Sequence, residues 1–153
     1  MRPAEELRYA VLALQREGNR NLIAALRPLG VTPAQAEVIR VLSDYEPLTL
    51  TGLGELLICE SGTGPSRLVD RLVATGAIHR TTNPDDRRSI TLALTPGGRA
   101  LSQQIATVET ALYSAIDAAM GDARFEPVLA LAQSLLKGSA AGAALDRRRQ
   151  SGK

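Results

Sequence analysis

Arg67 and Arg71 stand four residues apart in "PSRLVDRLVATG", and Asp85, Asp86, Arg87 and Arg88 follow in "NPDDRR". A guanidinium is a planar fork of donors that suits phosphate oxygens and the acceptor edges of bases. On a helix, residues four apart share a face, so both forks would point the same way, opposite Leu68 and Leu72. A solvated helix face with Asp70 paired to either arginine is the plainer alternative. The chain has one cysteine, Cys59, and one histidine, His79, too few for an internal disulfide or a structural zinc site. Neither a glycine-rich phosphate loop after a strand nor a nucleophile elbow occurs, so we expect no catalysis, no cofactor and no metal. Cys59 reads as a small buried hydrophobe or, functionally, as a thiol switch. His79 reads as a half-exposed strand residue, with pH sensing as its functional alternative.

The 153 residues suit a single domain, and 44% hydrophobic with 22% charged residues is too apolar for disorder. No apolar run approaches the roughly 20 residues that span a bilayer, and no signal-peptide pattern opens the chain, so a cytoplasmic location without membrane contact is expected. The formal charge is only +2, but its distribution is uneven. Residues 61–100 hold six arginines against three acids, and Arg147, Arg148, Arg149 and Lys153 in the tail face Asp146 alone. Such concentrated basicity points to an anionic partner.

The elements that must carry these groups follow from periodicity. Leu7, Val11, Leu14, Leu22 and Leu26 recur at helical spacing from Ala4 to Arg27. "TPAQAEVIRVLS" opens a second helix with Thr32 as N-cap, Pro33 at the first helical position and Gln35 completing a capping box. A short extended piece at 48–50 and a short helix from about Thr51 to Ile58 come next, then a helix ending before Gly76. "AIHRTT" and "SITLALT" flank "NPDDRR" as a β-hairpin with a charged tip. Thr95 and Pro96 begin a long helix, Phe125 to Leu136 form the last one, and residues 138–153 read as a disordered basic tail. The expected class is mainly α with a small β-hairpin wing. It is a winged helix-turn-helix at about 32–95, flanked by dimerisation helices at 4–30 and 96–137, in a single domain over 1–137.

"RLVDRLVATGAIHRTTNPDDRRSITLALTPGGRAL" resembles the core signature of the MarR family of bacterial transcription regulators, and "NPDDRRSITLALT" is its specific part. The resemblance implies a homodimeric repressor that binds a pseudo-palindromic double-stranded DNA operator and is released by a ligand, here a small aromatic or phenolic effector. It places Ser61, Thr63, Ser66, Arg67 and Arg71 at the DNA, Arg87 on a phosphate, and Arg88 in the minor groove with Asp86 orienting it. The effector pocket would lie between the first two helices, the long helix and the reader, with Tyr9, Tyr45 or Tyr113 supplying a polar tip. Two alternatives remain: a thiol-based redox regulator using Cys59, and a winged-helix module that binds protein.

The resemblance also suggests a recognition helix starting at Ser61, which would set Pro65 at its fourth residue. A proline inside a helix costs about 3 kcal/mol. A start at Pro65, with Gly64 as N-cap and Gly76 past the end, removes most of that cost. The expected helix is therefore Pro65 to Thr75, with Ser61 and Thr63 in the preceding loop.

Overall fold

The computed structural model describes residues 1–59, 62–82, 90–121 and 125–151. The chain opens with helix α1 (Pro3–Leu26), a 3-10 turn at Arg27–Leu29, and helix α2 (Pro33–Tyr45). Thr32 Oγ1 accepts the Gln35 amide at 3.3 Å and the Thr32 amide donates back to Gln35 Oε1 at 2.9 Å, so the capping box forms as expected. Such caps stabilise a helix end by about 1 kcal/mol.

Strand β1 (Leu48–Thr49) leads into the short helix α3 (Leu50–Gly54), and helix α4 (Pro65–Ala74) follows. Strands β2 (Ile78–Thr82) and β3 (Ile90–Leu94) pair antiparallel, Ile78 opposite Leu94 and Thr82 opposite Ile90. β1 adds to the far edge of β3, which gives a three-stranded sheet in the order β1-β3-β2. The sequence had read residues 48–50 as extended without pairing them to the hairpin. Helix α3 also ends at Gly54, short of the expected Ile58. The reason lies in α2: Glu37 accepts the Ile58 amide at 2.9 Å and the Cys59 amide at 2.8 Å, holding them in a turn.

One core joins these pieces. Ile39 and Leu42 of α2, Leu53 of α3, Leu72 of α4, Ile78, Leu92 and Leu94 of the sheet, and Leu26 of α1 are essentially fully buried. Each such side chain contributes roughly 1.5 to 3 kcal/mol relative to exposure.

The long helix α5 (Pro96–Met120) starts on Thr95, whose Oγ1 accepts the Gly98 amide at 3.0 Å. Its first turn presses onto the chain leaving α4: a β-carbon at Gly98 would stand 2.0 Å from the Ala77 carbonyl oxygen. Arg40 of α2 donates through Nε to Glu109 at 3.0 Å and through Nη1 to buried Ser102 at 3.1 Å, tying α5 to the reader. Helix α6 (Phe125–Leu136) and helix α7 (Ala140–Ser151) complete the chain.

Helix α7 corrects the expectation of a disordered tail over 138–153. Gly138, at φ +80°, turns the chain. Ser139 Oγ then accepts the Gly142 amide at 3.0 Å as a cap does, and Ala144 is buried. Alanine is the best helix former, so a capped alanine-rich segment with something to pack on stays helical.

Candidate nucleic-acid interface

Helix α4 begins where the steric argument placed it. Gly64 is its extended N-cap, Pro65 its first residue, and the Arg67 amide reaches the Gly64 carbonyl at 3.1 Å. At the other end Gly76, at φ +77°, donates to the Val73 carbonyl at 3.0 Å, and Ala77 donates to Leu72 at 2.9 Å. That pair of bonds is the Schellman arrangement, in which the left-handed residue is almost always glycine.

Leu68, Val69 and Leu72 are buried against the core, which leaves Ser66, Arg67, Asp70 and Arg71 exposed on the opposite side. The two guanidinium groups therefore share one outward face. Asp70 does not neutralise them in the way the sequence left open, because its carboxylate accepts from Arg80 Nη2 of β2 at 2.5 Å. This pair braces α4 against β2 of the hairpin. Arg99 pairs with Glu46, whose other oxygen accepts the Leu94 amide at 2.6 Å.

The remaining expected DNA contacts are distributed unevenly. Thr63 is half-buried in the loop before Gly64. Ser61, Asp86, Arg87 and Arg88 lie outside the described residues. Strand β2 packs beside α4 and ends at Thr82, and β3 begins at Ile90. His79 is exposed on β2, opposite Ala93.

The three tyrosines do not converge on one pocket. Tyr9 is 51% and Tyr113 is 55% exposed, on α1 and α5. Tyr45 donates its hydroxyl to the Arg148 carbonyl of α7 at 3.3 Å. Partial burial, followed by the negative charge of Glu109, raises the Tyr113 pKa above its ordinary value. Two clefts of about 640 and 630 Å³ flank α7, one against α6 and one against α3, and neither is lined by a tyrosine.

Cys59 is exposed, which corrects the reading of a buried hydrophobe. The turn held by Glu37 presents it at the surface. Partial desolvation, then the charge and hydrogen bond of Glu37, push its thiol up to about 11. A thiol so raised is protonated near neutral pH and a poor nucleophile, which weighs against the redox alternative.

Sequence reasoning missed Glu37, Arg147 and Arg148. Arg148 Nη2 meets Glu37 Oε1 at 2.6 Å and its Nε donates to the Leu56 carbonyl at 2.8 Å; Arg147 Nη1 donates to the Glu55 carbonyl at 3.1 Å. No periodicity marks a residue whose partner is a backbone carbonyl far along the chain. Only the concentration of arginine in the tail hinted at it.

A helix pair with an exposed arginine face, backed by a three-stranded sheet and a long helix, defines the winged helix-turn-helix class. Residues 31–90 match the model of the MarR family. The multiple antibiotic resistance protein MarR of Escherichia coli (strain K12) is 35% identical over 79 residues, 52% of this chain and 54% of that protein. The chain thus spans about half the length of this curated relative. The organic hydroperoxide resistance transcriptional regulator of Bacillus subtilis (strain 168) is 29% identical over 104 residues, 68% of this chain and 70% of that protein. In structure, a cysteine-to-serine mutant of E. coli MarR complexed with operator DNA superposes with a TM-score of 0.74 at 26% identity, covering 86% of this chain and 94% of that one. Over residues 31–90 and in its fold, the chain is similar to members of the MarR family.

Proposed function

We propose that this protein is a homodimeric, sequence-specific DNA-binding transcriptional regulator, acting as a repressor on a pseudo-palindromic operator. The observation that carries the reading is the outward Ser66, Arg67, Arg71 face of α4, with the opposite side of the same helix locked in the core. Such a helix can enter the major groove while the hairpin follows the backbone. The relative whose structure contains operator DNA shares this arrangement at the level of the fold.

Dimerisation is supported by what the single chain leaves uncovered. In α1 only Leu26 is buried, and in α6 no residue is. Leu14, Val128 and Leu135 are each more than half exposed. A second copy laid on these helices would cover that apolar surface and set two α4 helices about one DNA turn apart. Helices 4–30 and 96–137 are thereby assigned to dimerisation, and release by a small aromatic or phenolic effector completes the proposal. Among the described residues no helix is long and apolar enough to cross a membrane.

Selection of duplexes from a random pool tests the reading, followed by binding to the selected site across a salt series. A recovered inverted repeat with a steep salt slope is the expected result. Recovery of no sequence preference, together with a flat slope, would leave the protein-binding alternative.

A further inference from the structure

The turn between α3 and α4 is held from two sides by residues far from it in sequence. From α2, the Glu37 carboxylate accepts the Ile58 and Cys59 amides. From α7, Arg148 donates to the same carboxylate and to the Leu56 carbonyl, and Arg147 donates to the Glu55 carbonyl. The Glu37 side chain is only 9% exposed and that of Arg148 27%, so their pair is shielded from water. A carboxylate with so little solvent depends on its donors, and removing one partner of a shielded pair is costly. The tail reaches this place by a built corner: Gly138 in the left-handed region, Ser139 as cap, and Gly142 so close to α6 that a β-carbon would stand 2.4 Å from the Leu136 carbonyl oxygen.

We infer that α7 is an intramolecular strap, and that Arg148, acting through Glu37, is a positioning residue that holds the turn preceding the recognition helix. The inference rests on the DNA-binding reading of α4. With the strap engaged, the backbone of residues 55–59 has side-chain partners for both amides and carbonyls, and the reader meets DNA already ordered. With it released, the turn must be ordered during binding, at a cost in affinity. The arginine works by fixing backbone, so it adds no phosphate contact of its own.

The test uses the full chain with Arg148→Met, with Arg149→Met as a control of equal charge change on the same helix. Backbone amide exchange at Ile58 and Cys59 is read by NMR, and affinity for the selected duplex is read across a salt series. Arg148→Met is expected to speed exchange at both amides and to weaken binding about tenfold, while the salt slope is kept. Arg149→Met should leave the exchange unchanged. Arg148→Lys, which keeps the charge but loses the two-pronged fork, should fall between wild type and methionine.

Unchanged exchange in Arg148→Met would overturn the strap. So would a salt slope lower by about one unit in that variant, since Arg148 would then be a phosphate contact. Equal effects from Arg149→Met would overturn it as well. If exchange responds as expected but no duplex is bound by the wild type, the strap is supported and the DNA-binding reading fails instead.

Discussion

Arg67 and Arg71 present their forks to solvent without Asp70 between them, because Asp70 is engaged by Arg80. An arginine free to reach a guanine through two bonds discriminates by about 1 to 3 kcal/mol, so Arg67→Ala or Arg71→Ala should relax sequence preference at one position of the operator. Competition between the selected duplex and single-base variants measures this. Arg88 carries a different expectation from the wing resemblance: Arg88→Ala should weaken most sequences alike and lower the salt slope by about one unit, with Asp86→Ala a partial copy. An unchanged slope would remove the wing from the interface. At Cys59 the raised pKa of about 11 sets the sign of a chemical test. Below pH 9 the folded protein should react with iodoacetamide more slowly than the urea-unfolded chain, whose thiol titrates near 8.5, and the difference should close above about pH 11. Faster reaction in the folded state at pH 7 would restore the thiol-switch alternative.

At the scale of elements, the reader is positioned by its two ends. Pro65 opens α4 without giving up a needed amide, so Pro65→Ala should change the melting temperature little while allowing the helix to extend backward and shift base preference. Gly98 is the opposite case. Its missing β-carbon lets the first turn of α5 touch the Ala77 backbone, which follows directly on the Schellman end of α4. Gly98→Ala forces backbone apart and should cost about 1 to 3 kcal/mol, read as a lowered denaturant midpoint. A neutral Gly98→Ala would mean that α5 can slide away from α4, and the rigid link between α5 and the reader would be lost with it. Arg40, bridging α2 to Glu109 and Ser102, reinforces that link.

At the scale of the molecule, α1 and α6 leave apolar faces open and the reader core leaves almost none. Leu135 is 66% exposed at the end of α6, and a charge there should oppose a second copy without disturbing the buried core. Leu135→Glu is expected to shift sedimentation toward monomer at micromolar concentration and to weaken operator binding by losing one of two half-sites. A wild-type chain that sediments as a stable monomer would refute dimerisation outright.

Features confined to a few consecutive residues were legible in the sequence alone. The start of α4 at Pro65, its glycine stop, the Thr32 and Thr95 caps and the outward placement of Arg67 and Arg71 all follow from local sterics, hydrogen bonding and helical period. The tertiary structure decided what depends on distant partners. Glu37 ends α3 early and turns Cys59 outward from 21 and 22 positions away. β1 finds its strand partner across the hairpin, and Asp70 chooses Arg80 over its helical neighbours. Helix α7, unremarkable in periodicity, is secured by Arg148 meeting Glu37 across 111 positions. Local rules act through bonds and neighbours within one turn of chain, whereas these pairings exist only once the core has brought the elements together.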